Sequence, residues 1–107
     1  MDVEHAKLFI NVVGADGRSL SEVGDELVAG LEDFGVERTF GLLVDGEWAD
    51  LISNMPGQDI NRQVIFMHND RLFTLTFVPD DAAAGAAYEQ METMYDLALS
   101  SFNFLQQ

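Results

Sequence analysis

The side chains that could carry chemistry are few, and the two histidines are the first to consider. His5 and His68 stand far apart in the sequence and form no metal-ligand spacing. His68 precedes an Asn69-Asp70 turn, and a catalytic or ligand role would require an orienting carboxylate, for which Asp70 is the nearest candidate. We favour the alternative, a histidine at a surface hairpin. His68 is therefore kept only as a candidate partner-binding residue.

The acidic and hydroxyl side chains form no reactive constellation either. Asp80 and Asp81 could bind calcium, but the calcium-loop pattern is missing and a predicted helix follows them, which favours a capping role for one of the two. No serine lies in the G-x-S-x-G pattern of hydrolases, and the chain contains no cysteine. The sequence predicts a protein that is not an enzyme and that uses no cofactor and no metal.

Trp48 is the strongest candidate for a binding residue. It follows the turn Asp45-Gly46, and exposed tryptophans often anchor a partner protein. The alternative, which we favour from the sequence, is that Trp48 packs across the hairpin on Leu43 or against a helix. Met55 and Pro56 begin the one unusual loop of the chain, and we expect this loop to line a groove beside Trp48. The candidate ligand- or partner-binding residues are Trp48, Met55, Pro56 and His68.

Composition restricts the kinds of partner. The chain has 107 residues, 48% of them hydrophobic, which predicts one globular domain over residues 1–107. Nineteen acidic residues against five basic ones give a net charge of −14. A chain this acidic repels phosphate backbones and anionic lipid, so we expect no nucleic-acid binding and no membrane insertion. The partners that remain are a protein, in particular a basic one, or a second copy of the chain in a homodimer.

The order of the hydrophobic patterns predicts the fold class. Runs with strand periodicity and helical stripes follow one another as β-α-β-β-β-β-α, which predicts an α+β fold with an antiparallel sheet of about five strands and two helices that cover one face or both. The predicted strands cover residues 6–13, 36–44, 47–53, 62–68 and 71–78, and the predicted helices cover Leu20 to Phe34 and the segment after Pro79.

Local signals support these elements. The dipeptides Asp45-Gly46 and Asn69-Asp70 predict two tight hairpins. Ser19 with Glu22 forms a capping-box pattern, and Gly35 stands where a left-handed helix cap is needed. Asp50 is expected to point outward from its strand, because alternation places its two apolar neighbours inward.

Three segments carry a resemblance to a known family: GRSLSEVGDELVAGL after an N-terminal strand, the hairpin QVIFMHNDRLFTLTF, and a last helix that ends in SSFNF. Together they resemble the PsbP-like superfamily, which includes the extrinsic photosystem subunit of that name, a Ran-binding nuclear-transport factor and many bacterial lipoproteins. The resemblance spans residues 6–105. It implies that the Ser-Phe-x-Phe ending returns to the sheet and buries Phe102 and Phe104. It also implies an exported or membrane-tethered bacterial protein with this domain outside the cytoplasm, and it carries over no functional residue.

Two functions follow as hypotheses. The first is a non-enzymatic binding or interaction domain of an exported bacterial protein. The second is an acidic chaperone of the secretion type that acts as a homodimer. Such chaperones usually begin with a helix, whereas this chain is predicted to begin with a strand, so we rank the second hypothesis lower.

Overall fold

The computed structural model describes residues 5–57 and 59–102. Five strands form one antiparallel sheet in the order β1-β5-β4-β3-β2, accompanied by two α-helices. This confirms the predicted α+β class and the predicted element order. The elements are β1 (Lys7–Gly14), α1 (Leu20–Val28), β2 (Glu37–Val44), β3 (Glu47–Met55), β4 (Asn61–His68), β5 (Arg71–Val78) and α2 (Ala86–Ser101), with 3-10 turns at Glu32–Phe34 and Ala82–Ala84.

The two predicted hairpin turns are confirmed by the backbone. Asp45 and Gly46 have φ angles of 47° and 85°, and Asn69 and Asp70 have φ angles of 52° and 60°. Positive φ at both central residues matches the right-handed twist of the strands that such a turn joins. Strands β2 to β5 therefore form a meander, and β1 pairs with β5 at the far edge. Helix α1 consequently carries the chain from one edge of the sheet to the other.

Helix α1 begins as predicted but ends earlier. Ser19 accepts a hydrogen bond from the backbone N–H of Glu22, whose side chain accepts one from the N–H of Ser19, and this reciprocal cap lowers the pKa of Glu22. The helix ends at Val28 rather than at Phe34, because Ala29 leaves the helical region and Gly30 has a φ of 77°. The remainder of the predicted helix is a 3-10 turn that Gly35 closes in the left-handed conformation.

The central strands of the sheet are buried on both faces, with one helix on each side. On one face Val23 of α1 packs with Ile52 and Ile65, and we call this the α1 face. On the other face Met91 of α2 packs with Phe66 and Phe77, and we call this the α2 face. Neighbouring residues along β4 are therefore buried on opposite sides, as expected for a central strand that has a helix on each side.

The C-terminal aromatic residue that the structure describes returns to the sheet. The ring of Phe102 makes edge-on contacts with the rings of Phe66 and Phe73, at centroid distances of 5.2 and 6.2 Å. This agrees with the burial expected of Phe102. Phe104, for which the same burial was expected, lies outside the described residues.

Arg62 of β4 fixes helix α2 to the sheet. Its guanidinium donates to Glu92 of α2 at 2.8 Å and to Asp80 at 2.9 Å, and it lies over the ring of Tyr95 at 4.7 Å from the ring centroid. Asp80 also accepts a hydrogen bond of 2.7 Å from the backbone N–H of Asn54. Asp80 therefore joins the end of β3, the start of β4 and the approach to α2.

The predicted cap of the final helix is corrected by these contacts. Helix α2 begins at Ala86, and its N-cap residue Gly85 has no side chain to bond the helix. Asp81 caps the preceding 3-10 turn instead, by accepting from the N–H of Ala83 at 3.0 Å. Asp80 does not cap helix α2, because its two carboxylate oxygens accept hydrogen bonds from the guanidinium of Arg62 and from the backbone N–H of Asn54.

Tyr95 provides a test of this packing at alkaline pH. Burial raises the pKa of Tyr95 above its ordinary value of 10.0, although the charge of Arg62 lowers it in part. The folded chain thus keeps the phenol proton where the unfolded chain loses it, so this contribution to stability is complete below the unfolded pKa and is lost as pH rises from there through the folded pKa. We expect Tyr95→Phe to reduce the loss of unfolding free energy seen by urea denaturation above about pH 10. Tyr88→Phe is the matched control, and an equal alkaline loss in wild type and Tyr95→Phe would contradict the prediction.

Candidate functional site

Three large apolar side chains lie exposed on the α1 face of the β2–β3 hairpin, and we call this set the Trp48 surface. Its residues are Phe40, Leu43 and Trp48, which are 64%, 53% and 64% exposed. Trp48 lies directly opposite Leu43 in the register of the two strands. Of the two alternatives for Trp48, the exposed one is therefore observed, and the cross-strand neighbour is the expected Leu43.

An extra residue in β2 brings Phe40 to the same face as Leu43. The register of the two strands shifts between Thr39 and Leu42, so that Phe40 and Gly41 together lie opposite Asp50. Without this bulge, strict alternation would place Phe40 and Leu43 on opposite faces. Gly41 has a φ of 89°, which side-chain-bearing residues rarely adopt. A glycine within a strand pattern is the sequence signal that could have indicated this bulge.

Arg38 contacts the Trp48 surface through the ring of Phe40. The guanidinium of Arg38 lies 4.6 Å from the centroid of the Phe40 ring, a cation–π geometry. It donates two hydrogen bonds to the same oxygen of Asp50, at 2.7 and 3.0 Å, and one to Asp25 of α1 at 2.6 Å. It also contacts the carbonyl of Ser21 at 3.3 Å. Arg38 thus links the exposed ring of Phe40 to helix α1.

Asp50 is buried, contrary to the expectation that it points outward. It is only 5% exposed and lies on the α1 face, where Arg38 neutralises its charge. The alternation itself is as predicted, because Ala49 packs on the α2 face. The prediction assumed that one face of the sheet is exposed to solvent, whereas helix α1 covers the face on which Asp50 lies. Burial lowers the pKa of Arg38, but the hydrogen bonds and charges of Asp25 and Asp50 outweigh it and raise the pKa.

Gly24 allows α1 to approach this arginine. A Cβ atom at position 24 would overlap the guanidinium of Arg38. The guanidinium has no freedom to withdraw, because Asp25 and Asp50 hold it from two sides. Only glycine therefore permits the present contact between helix and arginine.

A small cleft lies next to the same arginine. Its volume is about 150 Å³, and it is lined by Val28, Leu31, Val36 and Arg38. Arg38 lines this cleft and also lies against the ring of Phe40, so the cleft is adjacent to the Trp48 surface. The cleft could hold an apolar side chain of a bound partner.

The structure does not bring the predicted site residues together. Met55 is buried in the core of the α1 face, and Pro56 is half-buried beside it. Trp48 and Met55 stand near opposite ends of β3. Seven residues of extended strand separate them by about 23 Å, so these residues do not line a common groove with Trp48.

His68 lies on the other face of the sheet from Trp48. It belongs to the same face of β4 as Phe66, under α2, and its Nδ1 is 2.8 Å from the carboxylate of Glu47. The carboxylate that lies against its ring is that of Glu47 on the adjacent strand, whereas proximity in the sequence had suggested Asp70. Proximity in the sequence could not indicate Glu47, because β3 pairs with β4 across the sheet. Within residues 5–57 and 59–102, no group of three or more His, Asp or Glu side chains is placed to hold a metal ion.

Acidic side chains surround the Trp48 surface. Asp45 stands in the turn beyond Leu43, and the exposed Asp25 lies on the other side, next to Arg38. Arg38, which lies on the same face, is already paired with two carboxylates. The formal charges of Asp25, Asp50 and Arg38 add up to −1 beside the exposed ring of Phe40, the same sign as the net charge of the chain, −14.

The comparisons with known proteins add no relationship to these observations. No protein-family model, no curated protein and no solved structure matches this chain. Among the helices that the structure describes, none has the length and apolar character needed to cross a membrane.

Gly24→Ala tests the contact between α1 and Arg38. In an ordinary helix interior this change stabilises by about 1 kcal/mol. Here we expect the opposite sign, a loss of about 1–3 kcal/mol from overpacking against the held guanidinium. Urea denaturation measures the effect, with Ser21→Ala in the same helix as the control. A gain in stability for Gly24→Ala would show that the guanidinium moves aside freely.

Trp48→Ser tests whether the Trp48 surface is free of a structural role. We expect the unfolding free energy to change by no more than about 1 kcal/mol, the size of one cross-strand pair. The buried neighbour Ile52, on the same strand and the same face, is the comparison, and Ile52→Ala should cost about 2–5 kcal/mol. Equal losses in the two variants would mean that Trp48 belongs to the core.

Proposed function

We propose that this protein is a non-enzymatic binding domain and that the Trp48 surface binds a basic, apolar segment of a partner protein. The observation that carries the proposal is the exposure of Trp48 directly opposite the exposed Leu43, with Phe40 exposed on the same face of β2. Contiguous apolar surface of this kind is uncommon on soluble proteins unless it serves an interaction. Tryptophan is also the residue most often found at the energetic centre of an interface.

The chemistry of the partner follows from the charges around this surface. Asp25 and Asp45 flank the apolar side chains, and the single nearby arginine is engaged by carboxylates. A partner with lysine or arginine residues at the rim would gain attraction from these acids, and an apolar side chain could enter the cleft beside Arg38. An acidic partner would be repelled.

We retain two further elements of the sequence analysis as proposals. The resemblance to the PsbP-like superfamily favours an exported bacterial protein whose domain works outside the cytoplasm. The alternative function is a secretion-type chaperone that acts as a homodimer. The exposed apolar side chains favour it as well, because unfolded clients bind through such side chains. Suppression of the aggregation of a thermally unfolded model protein would distinguish this function from binding of a folded partner.

Synthetic peptides test the proposed binding surface. We expect a peptide of alternating lysine and leucine to bind, a glutamate–leucine peptide not to bind, and a lysine–serine peptide to bind only weakly. Isothermal calorimetry measures the affinities, and added salt should weaken binding because the charges lie at the surface. Trp48→Ser should reduce the affinity about thirtyfold or more, the effect of losing a hot-spot residue.

The control for this experiment is Leu97→Ser, which removes an equally exposed apolar side chain from α2 on the opposite face. Binding that is unchanged in Leu97→Ser but lost in Trp48→Ser supports the proposal. Equal affinity of wild type and Trp48→Ser would refute it, since the peptide would then be held by net charge alone.

A further inference from the structure

Strand β1 is an open edge of the sheet without the usual protection. Its partner on one side is β5, and the order of strands leaves its other side unpaired within the described residues. All eight residues pair with β5 without any register shift. The side chains of Phe9, Ile10, Val12 and Val13 are between 41% and 58% exposed, on both faces of the strand. A long, regular and apolar edge of this kind is a template for pairing with another chain.

The opposite edge of the sheet, strand β2, carries features that prevent such pairing. Strand β2 carries the bulge at Phe40 and Gly41, and it begins with the charged residues Glu37 and Arg38. Bulges and charges are the devices by which natural sheets prevent edge-to-edge association. Strand β1 has no bulge and no proline, and its only charged residue is Lys7 at its first position.

We propose that the free edge of β1 pairs with β1 of a second copy of this chain, so that two sheets join into one antiparallel sheet of ten strands. The sequence of β1 argues for a second copy, because its apolar residues are arranged on both sides of Asn11 and can pair with themselves. Two chains of net charge −14 repel each other, and β1 is a segment without acidic residues through which they can approach.

The sequence of β1 is complementary to itself in one register. A two-fold axis normal to the sheet keeps the faces aligned, so each residue must meet a residue of its own face. With the axis at Asn11, Ile10 faces Val12 of the partner subunit, and Phe9 faces Val13 of the partner subunit. Apolar side chains then meet apolar ones in four cross-strand pairs, and the one polar side chain meets its own copy.

The neighbouring registers are less favourable. Moving the axis to Ile10 places Phe9 opposite Asn11 of the partner subunit, which sets an aromatic ring against an amide. Moving it to Val12 places Asn11 opposite Val13 of the partner subunit and shortens the ladder. The Asn11 register also brings Lys7 close to Asp16 of the partner subunit, an attractive contact between otherwise repelling chains.

Helix α2 leaves space for this assembly. Gln90 accepts a hydrogen bond from the backbone N–H of Ala6, so the Gln90 side of α2 faces the start of β1. Along that side runs an open groove of about 790 Å³ whose lining includes Met94 and Leu97. Ile10 and Val12 lie on the same face of the sheet as α2, and their counterparts in the second copy would adjoin them beside this groove.

The first test is the oligomeric state of the full chain by sedimentation equilibrium. We expect a dimer that becomes tighter as salt is raised, because salt screens the repulsion between the two acidic chains. This is the reverse of the salt dependence expected for a basic peptide at the Trp48 surface, so the two proposals can fail independently. A wild-type chain that stays monomeric at high concentration and high salt overturns the dimer.

Ile10→Lys tests the edge itself. A lysine there is a natural edge protection and also lowers the net repulsion, so any dissociation must come from the edge. We expect the dimer to weaken about tenfold or more, because the two-fold axis doubles the loss of each cross-strand pair. Leu43→Lys, the same kind of change on the Trp48 surface, should leave the dimer intact. Circular dichroism confirms that both variants are folded.

Asn11→Cys tests the register without weakening the edge. The chain has no cysteine, so this change introduces a single thiol. Residues directly opposite in an antiparallel pair have Cα atoms about 4.5–5.5 Å apart, within the range for a disulfide. We expect rapid oxidation to a covalent dimer, whereas Ser21→Cys, exposed on α1, should not cross-link. Equal rates for the two variants would contradict the register. A monomer whose β1 amides resist hydrogen exchange would show instead that another segment of the same chain covers the edge.

Discussion

Two half-buried arginines, one on each face of the sheet, join the helices of this fold to its strands. Arg38 joins Asp50 of the sheet to Asp25 of α1, and Arg62 joins Asp80 to Glu92 of α2. Each arginine also lies over an aromatic ring. Losing one member of a buried ion pair costs about 3–5 kcal/mol, because the other charge remains buried without compensation. The loss of either arginine would therefore leave a carboxylate, Asp50 or Asp80, in the protein interior without its counter-charge.

The pairing of these arginines with the chain's own carboxylates affects the charge of the protein surface. The chain has only five basic residues, and Arg18, Arg38 and Arg62 all pair with its own carboxylates. Nineteen acidic residues against five basic ones leave a large excess of negative charge. An acidic exterior with a few uncovered apolar areas follows from the scarcity of cations. An excess of one charge sign on a surface favours partners of the opposite sign, which is the physical basis of the basic partner proposed above.

Short sequence signals were sufficient to predict the hairpin turns and the start of α1. The positions of the site residues depend instead on contacts between segments that are distant in the sequence. The turns at Asp45-Gly46 and Asn69-Asp70 and the cap at Ser19 depend on a few neighbouring residues, and all are observed. The burial of Asp50 and the pairing of His68 with Glu47 depend on which strands adjoin and which face a helix covers. No alternation pattern contains that information.

The two uncovered surfaces lie at opposite edges of the sheet, and this arrangement has a consequence for binding. If β1 joins two copies, the two Trp48 surfaces stand near the outer edges of a ten-stranded sheet. At the usual spacing of neighbouring strands they are about 40 Å apart. A partner that carries two basic segments far enough apart could engage both, and its second contact would form at a high effective concentration. Weak single contacts at exposed side chains would then suffice for firm binding, and that binding would depend on the integrity of the β1 edge.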